Sequence, residues 1–220
     1  LVGCGFREIL NNSLTKTAYY TELNRYTEET TVKVMNPLSS DLGVMRQTLL
    51  FGGLESVGRK VNHKMPNLRF FEFGNCYHYS PEKKNDEDPI KAYTEEMHLG
   101  MWLTGKRVEG SWAHADEQSS FYELKAYVMN IFTRLGVNPG IVVTESSDNN
   151  VFGKALALKA RSGKVLCEMG IVSHKLLKKM DIEQEVFYAD INWDNMMRAI
   201  KKNEVLYHDI SKFPSVSRDL

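Results

Sequence analysis

The stretch FFEFGNCYHYS, residues 70–80, decides how the rest of the chain is read. Phe71, Phe73 and Tyr77 set bulky rings in a run of β-forming residues, and polar Glu72, Asn75 and His78 are interleaved among them. That composition predicts a strand carrying polar groups on its surface. Its end poses a chemical question: do His78 and Ser80 react with something, or do they occupy positions from which a reaction has been lost?

Working outward, MHLGMWLTGK (97–106) predicts a second strand. The intervening residues 80–96 hold two prolines and many charges and predict a mobile, solvated connection. KALALKA (154–160) and KVLCEMGIV (164–172) flank the turn residues RSGK and predict a hairpin. EVFYADI (185–191) predicts a further strand, followed by the helix-like NWDNMMRAIKK. The clearest helix covers 121–135. Ser120 and Glu123 form a capping box before it, Phe121, Leu124, Val128, Ile131, Phe132 and Leu135 make its apolar stripe, and Gly136 ends it. Nearer the N-terminus, FREILNNSL (6–14) has strand character, TKTAYYTELN suggests a short helix, and TVKVMNPLS (31–39) alternates as a strand that Pro37 ends. From 42 to 64 the period is helical, with Leu49, Leu50, Leu54, Val57 and Val61 on one face. Gly52, Gly53 and Gly58 within it suggest close packing against another helix. Hairpins and helices without regular β-α-β alternation predict an α+β fold, a mainly antiparallel sheet flanked by helices.

The 220 residues are 42% hydrophobic and 25% charged, enough for one sizeable core. Twenty-eight basic side chains balance 28 acidic ones, so no global field draws polyanions, which leaves room only for a local basic patch. Cys4, Cys76 and Cys167 lack zinc-site or disulfide spacing, which favours a reducing cytoplasm. No apolar run reaches the roughly 20 residues of a bilayer span, and no signal peptide begins the chain, so no membrane partner is expected. Leu1 is not an initiator methionine and the sequence stops after SVSRDL, so it is expected to be part of a longer protein. Six scattered histidines show no metal spacing, and Walker, GxGxxG and GxSxG motifs are absent from the sequence. The basic cluster HKLLKKM (174–180) reads as a helix with Leu176 and Leu177 in the core and its lysines in water.

Several segments together resemble one family. VMNPLSSDLGVMRQTLLFGGL, RFFEFGNCYH, SSFYELKAYVMNIFTRLG, GKVLCEMGIVSHKLLKKMDI, VFYADINWDNMM and KFPSVSRDL are similar, in this order and spacing, to the β subunit of bacterial phenylalanyl-tRNA synthetase. The resemblance covers nearly the whole chain and implies a class II aminoacyl-tRNA synthetase-like module over 1–210. Residues 211–220 would then begin the linker to a following anticodon-binding-like domain.

The same resemblance answers the opening question. Catalytic class II synthetases carry G-x-x-F-R-x-E on a strand of this kind, the arginine holding the ATP α-phosphate. Gly74 to Ser80 match that motif, with His78 in the arginine's place and Ser80 in the glutamate's. A mostly neutral imidazole cannot replace a permanently charged bidentate fork on developing phosphate charge. Arg69 and Glu72 cannot substitute as the pair, because strand alternation puts them on opposite faces. The third class II motif should fall at FYADINWDNMM, which has no glycine and no arginine before Arg198, while Asp190 and Asp194 bring negative charge.

The resemblance therefore implies a module that binds neither ATP nor Mg2+, has no catalytic, cofactor or metal residues of its own, and scaffolds a catalytic α subunit. The α2β2 complex would use ATP and Mg2+ to attach phenylalanine to tRNA(Phe). Asn36, Pro37, Leu38, Met45, Arg46 and Leu49 fall where the first class II motif builds the subunit interface. Two other readings stay open from the residues: an active class II synthetase or ligase with atypical site residues, and a free-standing RNA-binding module.

Overall fold

The computed structural model describes the chain apart from residues 22, 24, 138–141, 146–149, 201–208, 210–212 and 214–220. Its centre is β4 (Leu68–Tyr79), which pairs antiparallel with β5 (Tyr93–Thr104) from Leu68↔Thr104 to Tyr79↔Tyr93. The sheet continues antiparallel through β11 (Val186–Asn192), β10 (Val165–Val172), β9 (Phe152–Ala160) and β8 (Val142–Glu145), and β1 (Arg7–Glu8) joins β4 in parallel at the other edge. Two small ribbons pair β2 (Leu14–Thr15) with β3 (Val44–Met45) and β6 (Lys106–Val108) with β7 (Glu117–Gln118). The α+β class and the mainly antiparallel sheet are as the sequence predicts.

Side-chain alternation divides the core into two layers. Leu68, Phe70 and Cys76 of β4, Trp102 of β5 and Val186 and Tyr188 of β11 face α1 (Leu50–Asn62). Phe71, Leu99, Met101, Leu103, Phe187, Ala189 and Ile191 face the opposite way, towards α2 (Phe121–Arg134) and α4 (Trp193–Ile200). Each of these large apolar side chains contributes about 1.5–3 kcal/mol on burial. Leu176 and Leu177 of α3 (His174–Lys179) close the first layer while the lysines of α3 stay exposed, as HKLLKKM predicts.

Local chemistry explains the element ends. Ser120 caps α2 by accepting from the Glu123 N–H at 3.3 Å, but the Glu123 carboxylate turns to Arg69 instead of back to the cap. Gly136, at φ 74, ends the same helix, and Val137 N–H returns to Phe132 O at 2.8 Å. The predicted hairpin 154–172 forms around Gly163, whose φ of 82 suits the RSGK turn.

Four expectations are corrected. Residues 31–39 make no strand; one isolated bridge, Lys33↔Val44, ties them to β3, with Val32 and Val34 half-buried and Met35 and Leu38 in solvent. The helix predicted from 42 starts at Leu50, because Val44–Met45 pair with β2 instead. Residues 6–14 form only β1 and the start of β2, and the short helix predicted after them is a single 3-10 turn at Thr17–Tyr19. The 80–96 connection is shorter than expected, since pairing with β4 extends β5 back to Tyr93 and two proline-started 3-10 turns, Pro81–Lys83 and Pro89–Ala92, flank the remaining residues 84–88. The expected linker at 211–220 lies outside the described residues except for Phe213.

Of the α1 glycines, Gly53 packs on the sheet, Gly52 against the Asn11 side chain and Gly58 against Met180 and Ile182 beyond α3, so none of them meets another helix. A Cβ on Gly53 would overlap the buried Trp102 indole, so the helix approaches β5 more closely than alanine permits. That contact outweighs the roughly 1 kcal/mol that a glycine costs inside a helix. Gly53→Ala is therefore expected to destabilise the module by about 1–3 kcal/mol in urea unfolding despite its better helix propensity. Gly153→Ala, at a position with open space beside it, is expected to change stability little.

Candidate functional site

The face of the sheet that packs on α1 changes character along its length. Beyond the apolar layer, even-numbered positions of β4, β5 and β11 carry His78, Glu96, His98, Asp190 and Asn192, and Glu168 of β10 lies opposite Asp190. With Arg25, Tyr26, Gln47 and Asn195 they line a polar cavity of about 180 Å3. The cavity gathers His78 of the one motif-like stretch and Asp190 of the other, and it is the candidate site.

Ion pairs fill it. His98 Nδ1 lies 2.6 Å from Asp190 Oδ1, and His98 Nε2 lies 3.7 Å from Glu96 Oε2. Burial works against charge on His98, but the two carboxylates overcome it and raise its pKa to about 10. The hydrogen bond from His98 in turn holds Glu96 below its ordinary range, against burial. Arg25 reaches across from the 20–30 segment to pair with Glu168. Asn192 Nδ2 donates to Glu96 at 3.0 Å, and its Oδ1 caps the first turn of α4 through Asn195 N–H at 2.8 Å. Among the described residues, no cluster of three or more histidine, cysteine, aspartate or glutamate side chains is arranged to hold a metal.

The degenerate positions divide. His78 lines the cavity, and burial lowers its pKa, so at neutral pH it presents a neutral ring. Ser80 has left the sheet: its N–H donates to Ala92 O at 2.7 Å at the hairpin end, and it does not line the cavity. Asp190 faces the cavity, whereas Asp194 accepts from the Met97 backbone N–H at 3.0 Å. Arg69 and Glu72 do lie on opposite faces, Arg69 pairing with Glu123 and Glu72 with Arg46.

The six residues placed at a subunit interface also separate. Arg46 is 6% exposed and Leu49 0%; both are engaged within the chain. Arg46 Nη1 meets Glu72 Oε1 at 2.6 Å, its Nε donates to Asn75 O at 2.9 Å, and Glu72 also accepts from Asn11 Nδ2 at 2.6 Å. Leu49 belongs to the apolar layer beneath α1. Asn36, Pro37 and Leu38 are exposed, Leu38 at 95%, and Met45 is half-buried.

Sequence reasoning missed Arg25, Glu96, His98 and Glu168. Glu96 and His98 share a strand face by their i, i+2 spacing, a signal hidden because the strand was expected to start one residue after Glu96. Arg25 and Glu168 are 143 residues apart and gave no local signal.

An antiparallel sheet with helices on it and a polar cavity on one face is the arrangement of class II aminoacyl-tRNA synthetases. The solved pyrrolysyl-tRNA synthetase from Desulfitobacterium hafniense superposes with a TM-score of 0.64 at 13% identity, over 91% of this chain and 65% of that one, and shows the fold alone. The family model described as "Phenylalanyl tRNA synthetase beta chain CLM domain" matches residues 1–193. Curated relatives named phenylalanine–tRNA ligase beta subunit include those of Bacteroides fragilis, 54% identical, and Porphyromonas gingivalis, 44% identical, each over the whole of this chain. The chain belongs to the phenylalanyl-tRNA synthetase β-chain family. It spans 27% of the length of those relatives.

Two outcomes test the geometry. Arg46→Met leaves Glu72 as an uncompensated buried carboxylate and is expected to cost about 3–5 kcal/mol, with the double change Arg46→Met and Glu72→Met recovering much of the loss in a double-mutant cycle. His98 has a folded pKa above its ordinary 6.5, so its contribution is complete below pH 6.5 and disappears as pH rises through about 10. His98→Gln should therefore flatten the alkaline limb of the melting temperature against pH, measured by calorimetry.

Proposed function

We propose that this chain is a non-catalytic synthetase-like module of a phenylalanine–tRNA ligase β subunit, working in the cytoplasm as a scaffold for a catalytic α subunit. The complex would form as α2β2 and attach phenylalanine to tRNA(Phe) with ATP and Mg2+. One observation carries the loss of catalysis: every cation lining the cavity is already paired, Arg25 with Glu168 and His98 with Asp190 and Glu96, and His78 presents a neutral ring, so a nucleotide phosphate meets no unpaired cation among the described residues there. With three carboxylates against the two cations Arg25 and His98, the lining also keeps a negative balance, which opposes a triphosphate. These residues do not fit ATP.

Nucleotide stoichiometry decides the point. Calorimetry of the assembled ligase is expected to give one ATP per αβ pair, supplied by the α subunit; two would mean that this cavity binds nucleotide after all.

The scaffold half of the reading rests on the exposed edge beside β3. Met35 and Leu38 stand 93% and 95% exposed, a placement that costs solvation unless another surface covers them. Leu38→Asp is expected to weaken assembly with the α subunit in sedimentation while the melting temperature of the β chain stays within a degree or two of wild type. Leu49→Asp differs, because Leu49 lies in the core: it should lower the melting temperature itself.

A further inference from the structure

The neutral net charge conceals a local excess of cations at one edge of the sheet. At the β1 edge of the sheet a cleft of about 250 Å3 is lined by Arg7, Arg69, Lys106 and Arg107, with Glu109 the one carboxylate among its lining residues. Two of the four cations are committed. Arg69 Nη2 pairs with Glu123 at 3.1 Å and also donates to Arg107 O at 3.2 Å, and Lys106 Nζ pairs with Asp116 at 2.7 Å. Glu109 accepts from Asn67 Nδ2 at 2.8 Å. Among the described residues, Arg7 and Arg107 meet no carboxylate at ion-pair distance. Two exposed guanidinium groups facing one cleft repel each other, and nothing in the fold requires them; their planar forks match phosphate oxygens.

A second observation lies beside the first. Trp112 is 100% exposed in the loop that leaves the cleft at Glu109 and returns to Asp116, the partner of the cleft residue Lys106. Its loop is braced. Asp116 accepts from Gly110 N–H at 2.6 Å through one oxygen while holding Lys106 through the other, Ser111 N–H donates to His114 O at 2.9 Å, and Ala113 N–H donates to Ser111 Oγ at 3.2 Å. An ordered loop that keeps an indole wholly in water forgoes the burial that side chain would otherwise gain, and such a ring offers a π-face to a flat partner.

We propose that this cleft and Trp112 form an RNA contact: Arg7 and Arg107 hold backbone phosphates, and the Trp112 ring stacks on an unpaired base. The proposal rests on the reading of the chain as part of a tRNA ligase. Cations in a groove next to an aromatic platform are the combination by which proteins grip unpaired RNA. With two phosphates engaged, the contact is local and salt-sensitive, which reconciles it with a chain whose charges otherwise cancel.

The test uses the full-length β chain assembled with its α subunit. Filter binding of tRNA is measured from low to moderate salt for wild type, for Arg7→Ala with Arg107→Ala, for Trp112→Ala and for Trp112→Phe. The double arginine variant is expected to bind about tenfold more weakly at low salt, with the slope of log affinity against log salt reduced by about 1.4. Trp112→Ala is expected to lose about fivefold or more, and Trp112→Phe to recover most of it. All four side-chain changes lie in solvent, so melting temperatures should not move. Unchanged tRNA affinity and salt slope in every variant, in a complex that still charges tRNA, would overturn the RNA contact and leave the ligase reading standing. A wild-type complex that charges no tRNA would defeat that reading, and the proposal with it. Inorganic phosphate, at ionic strength matched with potassium chloride, should displace tRNA no better than the salt. Phosphate binding that needs Arg7 and Arg107, with tRNA affinity indifferent to them, would assign the cleft to free phosphate and overturn the proposal.

Discussion

The fold depends on how one carboxylate is kept out of water. Glu72 sits at the centre of β4 with 0% exposure, and a charged group there is tolerated only if its hydrogen-bonding capacity is met. Arg46 supplies the countercharge from the end of β3, and Asn11 supplies both its side-chain amide and its backbone N–H from the segment between β1 and β2. Three stretches separated by as many as 61 residues are thereby fixed to one point on the sheet. Arg46 reaches that point only because Gly74 has no Cβ: one would overlap the guanidinium. The pair adds little net stability compared with an apolar equivalent, but it specifies how the irregular N-terminal segments lie on β4.

The same face carries a second ionic cluster, and the two differ in consequence. Around Glu72 the charges are sealed between strand and loop, whereas around His98 they surround a small cavity. This part of the sheet surface neutralises itself: Asp190 and Glu96 hold the His98 proton, and Arg25 covers Glu168. At the far edge of the sheet Arg7 and Arg107 face a cleft and, among the described residues, meet no carboxylate at ion-pair distance.

Much of this was legible where a local rule governs. The 154–172 hairpin follows from alternation around RSGK, α2 follows from its apolar stripe with Ser120 before it and Gly136 after it, and α3 follows from Leu176 and Leu177 between lysines. The departure of His78 and Ser80 from the class II motif that this stretch resembles is visible in the sequence because motif positions are read along one strand. Expectation failed for residues 31–39, where alternation of Val32 and Val34 suggested a strand, yet the neighbouring β3 is only two residues long and the segment keeps one bridge to it.

What the sequence by itself determined, then, is the periodicity of the longer strands and helices and the family. The tertiary structure decided which charges meet. Arg46 read as a surface residue for a partner and proved to be the counterion of Glu72; Gly53 read as a helix-packing residue and proved to make room for Trp102; Glu96 and His98 came together with Asp190 only through the register of β5 on β11. The physical reason is range. Periodicity and capping act over a few neighbouring residues, so they are written locally, whereas a buried charge takes its partner from whatever segment the fold brings within about 3 Å, and sequence spacing carries no record of that distance.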